Sequence, residues 1–543
     1  MKGRIALIID PKVSGPLSLV VEFSTLQTYG VEKIFLLQQS VSSLQTDCDH
    51  IVYLTKPSMA WMKTIAEHVQ MYQKLEAVTA AAPPGPPGSA ATPNAPKHFS
   101  IVFIPHRYVV CDRILEEEVS SVARGVWGLV DIHEFPLHLV PFENDVLSME
   151  VEHSFRDLFL DGDTSLLYYA AKSLMKFQQM FGHIPNIKGR GKHAQTVADM
   201  LLRFTQEVLL TPPWHLMTRV DEAASRKRRE LRQGGTPEEP QPQYISALIL
   251  LDRTVDPLTP MCTPLTYEGL VDEVFGIKNS KIDVDEVIVN PAKDKDKPPE
   301  RAAAGPKSVK IPLNSSDRLF AEIRDINFSA LGPLLHTKAK AIDKNYSERD
   351  KAKSLQEIKK FVAKLGVLQQ EHRSLQIHTN IAERILQITK ENDFRKRLEF
   401  EHRLLSGVDS GDTRYLEDCI SRAEPIGKIL RLLCLLSYTT GGIKPKQYDS
   451  FRREFLQTYG YNHIGTLSNL EQLGLIKKYD GSPPFASIKK TMRLIVTDVD
   501  EKDPKDIAYV YSGYAPLSVR LIEAAVKGEW QLKELRKLKG MHS

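Results

Sequence analysis

Asp252-Arg253-Thr254-Val255-Asp256 brings two carboxylates and a guanidinium within five residues, the raw material of general acid–base chemistry. The apolar run Ala247–Leu251 precedes them. It is too short for an ordinary helix and suits a buried parallel strand. Pro257 and Pro260 delay the next helix. The acids therefore stand at the carboxyl end of a strand, where open α/β sheets hold their sites. Yet no Gly-x-Ser-x-Gly elbow, HExxH pair or phosphate loop accompanies them. The favoured reading is structural: Arg253 forks between Asp252 and Asp256 and holds a loop between domains. Tyr267 and Glu268 then open a helix that runs through Leu270, Val271 and Val274. An α/β enzyme using Asp252 and Asp256 is the alternative.

Other suggestive patterns resolve in the same way. Gly189-Arg190-Gly191-Lys192 lacks a preceding strand and a GKS or GKT ending, so it reads as the entry turn of a helix over Lys192–Leu210. Asp161-Gly162-Asp163-Thr164 starts like a calcium loop without its later ligands. Asp163 or Thr164 is better placed to cap a helix over Ser165–Phe181. His372, His378 and His402 lack metal-ligand spacing, and His378 lies on an apolar stripe, as a hydrogen-bonded core histidine would. Five scattered cysteines with no CxxC pair suit reduced thiols.

These residues must be positioned by 543 residues, enough for two to four domains. The composition is ordinary for a globular chain, and 72 basic against 68 acidic residues argue against wholesale binding of a phosphate backbone. No stretch is apolar for long enough to span a membrane, which leaves only a peripheral membrane role through partners. Arg4–Asp10, Lys33–Leu37, His50–Leu54 and Ser100–Pro105 read as buried strands, with helices over Leu17–Tyr29 and Ser58–Leu75. That alternation predicts a parallel sheet covered on both faces. Pro11-Lys12 after the first strand is no glycine-rich turn, so no Rossmann site is expected. A last strand and exit are expected in Pro136–Met149. Ala80–Pro96, Ala223–Gln243 and Asn290–Lys307 read as hydrophilic or low-complexity insertions.

From Ser316 to Gly407 helices dominate, and two apolar stripes, Leu355 to Leu368 and Leu375 to Ile388, predict a long antiparallel hairpin. Tyr415–Ala423, Pro425–Thr439, Lys446–Tyr459 and His463–Leu473 follow as a second helical set. The last two have a winged-helix texture, and a nucleic-acid binder is a further alternative with few basic residues to support it. Phe451, Phe455 and Tyr459 recur every fourth residue, which fits either a core stripe or an aromatic docking face. Met492–Val499 and Asp506–Tyr511 read as strands and Leu517–Val526 as a helix. A helical block is thus inserted into a discontinuous sheet domain.

Leu250-Leu251-Asp252-Arg253-Thr254-Val255-Asp256-Pro257 with the downstream Thr266–Glu273, and Tyr511-Ser512-Gly513-Tyr514-Ala515-Pro516-Leu517-Ser518-Val519-Arg520-Leu521 far beyond them, resemble the Sec/Munc (SM) family of SNARE chaperones. Leu147–Glu150, Glu322–Asp325 and Phe455–Tyr461 are similar to its class C vacuolar protein-sorting branch. The resemblance implies an arch-shaped three-domain α/β fold, with two parallel-sheet domains and a large mostly helical domain inserted into the second. The expected bounds are 1–148 for the first domain, 149–273 with 490–543 for the second, and 274–489 for the third. The third would comprise a hairpin lobe over about 316–407 and a lower lobe over about 408–489.

It further implies no catalytic activity, no cofactor and no metal. The implied ligands are SNARE helices of the endolysosomal syntaxin and R types, on a hairpin surface formed by Leu331, Pro333, Leu334, Leu335, Lys338 and Leu375. HOPS and CORVET tethering complexes are implied too, with a companion class C subunit docked at Lys444, Tyr448, Phe451 and Phe455. That tilts the aromatic stripe toward partial exposure. Asp252, Arg253, Asp256, Tyr267 and Glu268 would be the interdomain motif. The implied place is the cytoplasm, peripherally at the late endosome, lysosome or vacuole. Against the family pattern the chain has no leading helix and ends before a final strand and helix, so a truncated chain or a second sheet with an exposed edge is expected.

Overall fold

The computed structural model describes residues 3–38, 46–81, 97–116, 126, 128–210, 245–289, 308–351, 355–407, 413–479 and 484–531. The expected insertions lie outside them, apart from Ala80 and Ala81. The chain forms two compact units, Met1–Glu152 and His153–Ser543.

The first unit is built on β1 (Ile5–Ile9), α1 (Pro11–Val20), α2 (Phe23–Thr28), β2 (Val31–Leu36), β3 (His50–Thr55), α3 (Met59–Ala81), β4 (His98–Phe103), α4 (Val109–Glu116) and β5 (Val130–Glu134). All five strands are parallel, in the order β2-β1-β3-β4-β5. Both faces are covered, which is why the strands read as unbroken apolar runs. Ile8, Tyr53 and Ile101 meet Met62 and Ile65 of α3 on one face, and Leu7, Ile9 and Leu54 meet Val13 of α1 on the other. Asp10 caps α1, accepting from the Lys12 amide at 2.9 Å. The single helix expected over Leu17–Tyr29 is two, because Val21 turns to extended backbone. The last sheet strand is β5 and not Pro136–Met149. Pro136 and Pro141 remove ladder donors there, leaving only the two-residue antiparallel pair β6 (Val140–Pro141) and β7 (Leu147–Ser148).

The second unit begins with α5 (Ser154–Phe159), α6 (Ser165–Phe181), β8 (Asn186–Arg190), α7 (Lys192–Leu210) and β9 (Ala247–Leu251). Asp163 opens α6 by accepting from the Ser165 amide at 2.8 Å. β8 and β9 are parallel neighbours, packed through Leu250 against α6 and α7. Next come α8 (Tyr267–Phe275), β10 (Lys281–Asp285), α9 (Glu286–Val289), β11 (Ser308–Pro312) and α10 (Arg318–Ile323). The expected hairpin is α11 (Phe328–Lys351) and α12 (Leu355–Thr389). At about 1.5 Å per residue, the 35 residues of α12 reach roughly 50 Å.

α13 (Asn392–Ser406) leads into the second helical set: α14 (Arg414–Ser421), α15 (Ile426–Thr440), α16 (Pro445–Tyr459), α17 (Ile464–Gln472) and α18 (Pro484–Thr491). The tail ends in α19 (Leu517–Val526). The two strands expected before it do not form. Asp506 caps the amide of Ala508 and starts a short 3-10 helix, Ile507–Tyr511. In Met492–Val499 the strand pairing shrinks to one isolated antiparallel bridge between Ile495 and Tyr514, closed by Val496 donating to Gly513 and Ala515 donating to Leu494 at 2.9 and 2.8 Å. The tail nevertheless returns to the second unit, since Leu494, Tyr514, Leu517 and Leu521 share a core with α13 to α18.

Candidate functional site

Each motif acid is filled by its surroundings. Asp252 follows β9, is buried, and accepts from the amide and hydroxyl of Thr254 at 3.2 and 3.1 Å. It also accepts from the His193 amide at 3.1 Å, at the first turn of α7. Strand β8 does precede Gly191-Lys192, contrary to expectation, but the cradle that strand and helix make is taken by this carboxylate. Gly191, at φ +99°, has no room for a Cβ, which would lie 2.2 Å from that of Asp252. A bound phosphate would need the amides that Asp252 occupies.

Asp256 is spent in the same manner. It accepts from the Thr259 amide and hydroxyl at 3.2 and 2.8 Å and from the Ser518 amide and hydroxyl at 2.9 and 2.8 Å. Thus it ties the loop after β9 to the start of α19. Arg253 does not bridge the acids: it is exposed, and among the described residues no ion pair joins it to either. Short Thr and Ser donors fit these buried carboxylates, while the guanidinium stays in water.

Tyr267 and Glu268 point toward the hairpin. Arg324 donates to both Glu268 oxygens at 2.8 and 3.0 Å. The buried Tyr267 hydroxyl meets His378 Nδ1 at 2.8 Å, and His378 Nε2 meets Asp317 at 3.3 Å. Asp317 also caps α10 and accepts from Ser374 at 2.6 Å. Burial works to raise the Asp317 carboxyl, but the bonds from His378 and Ser374 outweigh it and hold the group well below the usual carboxylate range. His378 is therefore a bonded core histidine, as its place on the stripe implied. Further along α8, Glu273 accepts from Arg397 at 2.8 Å and from Arg431 at 2.9 Å. These bonds lock α8, α13 and α15 together.

At the root of the hairpin, β11, α10, α11 and α12 enclose a cleft of about 730 Å³. Its walls carry Ile311, Leu319, Ile342, Val367 and Leu375, and its charged groups include Arg318, Glu322, Lys338 and Glu371. Of the six hairpin residues expected at a surface, Lys338 and Leu375 line this cleft. Lys338 pairs with Glu322. Leu331, Leu335 and Leu375 are buried in the hairpin core, at 1%, 7% and 8% exposure. Pro333 is exposed and Leu334 half-buried, and neither lines the cleft. Sequence reasoning missed Val367 and Glu371. Both lie one turn apart on the face that continues to Leu375, a spacing visible in the sequence, but Val367 was shadowed by the stripe member Leu368.

The aromatic stripe of α16 is core. Tyr448, Phe451 and Phe455 are 6%, 3% and 0% exposed, packed against Leu416, Ile420 and Leu433, the third stripe member Tyr459 is half-buried against the same core, and only Lys444 of the four expected docking residues is exposed. The tilt toward an exposed stripe is thereby corrected. A phenylalanine every fourth residue is also how a helix fills a bundle interior. Among the described residues no helix is long and apolar enough to cross a membrane.

Against known proteins, the Sec1 family model matches residues 5–542. Vacuolar protein sorting-associated protein 33A of Rattus norvegicus is 39% identical over 550 residues, covering 99% of this chain and 82% of the relative. The vacuolar protein-sorting-associated protein 33 homolog of Arabidopsis thaliana is 36% identical over 545 residues, covering 100% and 81%. Among solved structures, the SM protein Vps45 in complex with the Qa SNARE Tlg2 matches with a TM-score of 0.54 at 14% identity, covering 97% of this chain and 83% of that one. The Unc18–syntaxin 1 complex from Monosiga brevicollis matches with a TM-score of 0.54 at 15% identity, covering 98% and 83%.

Proposed function

The chain belongs to the Sec1 family, and from that premise we propose that it is a non-enzymatic, SNARE-binding chaperone of membrane fusion in vacuolar or lysosomal protein sorting. The observation that carries the reading is the cleft at the root of α11 and α12, an apolar trough with charged margins suited to a helical ligand. The Qa SNARE and syntaxin 1 of the matched complexes are ligands of those other proteins, and they supply the class of ligand. The spent carboxylates of the Asp252–Asp256 motif support a structural role for it over a catalytic one. A preorganised trough acts by lowering the ordering entropy of the SNARE helices that must later zip together.

The same reading places the chain in a tethering complex of the HOPS or CORVET kind, beside a companion class C subunit. Docking of that subunit on the lower helical lobe would use Lys444 and the exposed side of α16, not its aromatic stripe. It keeps the three-domain division, in which the second unit contains both the β8–β9 sheet domain, reached by the tail through α19, and the inserted helical domain. Attachment to late endosome, lysosome or vacuole would then be peripheral and through partners.

Pull-down of endolysosomal SNARE motifs by the full chain tests the reading. Retention is expected, and Val367→Glu should abolish it at an unchanged melting temperature, because Val367 is 50% exposed on the cleft wall. Retention that ignores this substitution would move the ligand elsewhere, and no retention would remove the function.

A further inference from the structure

Two polar side chains lie in the core of the first unit with nothing among the described residues to bond to. His68 of α3 and Tyr53 of β3 are each 0% exposed, with ring centroids 6.3 Å apart. Both imidazole nitrogens and the phenol oxygen are without a hydrogen-bond partner. Met62, Ile65, Ala66 and Val69, on the same helix, are also fully buried and close α3 onto Ile8, Ile51 and Ile101 of the sheet. A neutral imidazole gives up its bonds to water there. An imidazolium would also need an anion, or its burial becomes far more costly.

The elements packed here supply none. Burial pushes the Tyr53 phenol far above its ordinary value, and it raises Tyr72, one turn beyond His68, in the same direction. A cation, Lys97, lies over the Tyr72 ring at 4.7 Å. Cys48 before β3 and Cys111 of α4 are buried thiols, the second also raised by burial. Asp112, next to Cys111, is held by Arg107 at 2.6 Å. His50 and His98 stack on each other where β3 and β4 begin. Lys63 and Glu67 of α3 are exposed, and the buried Asp10 is spent on the start of α1, against the other face of the sheet. Inside this core, then, no described group offers an uncommitted negative charge, and burial holds the His68 imidazole below its ordinary value. We propose that His68 is an acid-operated release for α3: on taking a proton the ring leaves the core, and the helix uncovers the face formed by Ile8, Tyr53 and Ile101. The opened chain takes up the proton first, so closure is complete above the ordinary histidine value of about 6.5 and weakens as the pH falls below it. An apolar side chain of similar size would hold the helix at any pH. The imidazole adds only the dependence on the proton.

Hydrogen exchange of the full chain tests this, with protection of the α3 and β3 amides corrected for the chemical exchange rate at each pH. Between pH 7.5 and pH 5.5 protection is expected to fall about 5- to 10-fold in the unsubstituted chain. His68→Gln and His68→Leu should hold it level across that range. Tyr53→Phe, which leaves the imidazole in place, should lose it as the unsubstituted chain does. Level protection in the unsubstituted chain, or an equal loss in both His68 variants, overturns the proposal. Deuterium uptake at the His68 ring carbon between its two nitrogens, followed by mass spectrometry, reads the titration with no substitution at all. A midpoint below the ordinary value of about 6.5 is expected, and one at or above it overturns the proposal even where neither variant folds.

Discussion

Asp317 and Asp256 do the same work at different places: a carboxylate, half-buried at Asp317 and buried at Asp256, gathers donors from segments far apart in the chain. Asp317 joins α10 to Ser374 and His378 of α12, 57 and 61 residues away. Because these bonds hold its carboxyl below the usual range, the folded protein takes up this proton less readily than the unfolded chain does. The stabilisation is fully present above the unfolded carboxylate value of about 4. It drains as the pH falls from there toward the lower folded value, because the unfolded state takes up the proton first. Melting temperature measured between pH 7 and pH 3 should therefore fall less steeply in Asp317→Asn than in the unsubstituted chain, from a lower starting point at pH 7. Identical slopes would show that Asp317 is not held in this way. The sequence revealed which acids mattered at Asp252 and Asp256, since their position after an apolar run is local. It hid their partners. Ser518 lies 262 positions from Asp256, and local spacing favoured the neighbouring Arg253, which solvent claims instead.

Elements were legible where periodicity is long and self-sufficient. The hairpin, the main helices of the lower set and β1 to β4 follow from the spacing of apolar residues, because burial of one face or both dictates that spacing, whereas the mostly exposed edge strand β5 carries no such run. The misread elements are short segments whose form depends on what they meet. Asp506–Tyr511 carries a strand-like run, yet the Asp506 cap and the left-handed backbone at Ser512 and Gly513 coil it into a 3-10 turn. α16 shows the remaining ambiguity, since an aromatic stripe looks the same facing a core or a partner. Its burial makes a sharp prediction: Phe455→Ala should cost about 3–5 kcal/mol in urea unfolding, whereas Arg453→Ala on the exposed side should change stability by less than about 0.5 kcal/mol. A Phe455→Ala protein of unchanged stability would restore the docking face.

At the scale of the molecule, the second unit depends on residues far along the chain from its sheet. Leu494, Tyr514, Leu517, Leu521 and Ala524 lie in one core with the side chains of α13 to α18. The tail also crosses back over the motif helices: Val510 accepts from the Leu265 amide at 2.7 Å, and Tyr509 donates to the Asp325 carbonyl at 2.7 Å. Burying the larger of these side chains contributes about 1.5–3 kcal/mol each, together on the order of the whole 5–15 kcal/mol that keeps a domain folded. The first unit has its own two-sided core and draws none of it from the tail. Ending the chain after Thr491 should accordingly unfold the second unit and spare the first. Limited proteolysis would then leave a protected fragment ending near Glu152, while the full chain also protects the hairpin and the lower helices. Protected fragments from 392–491 in the shortened chain would mean that the helical block folds without the tail, and that the sheet and the helices are held together by something other than this shared core.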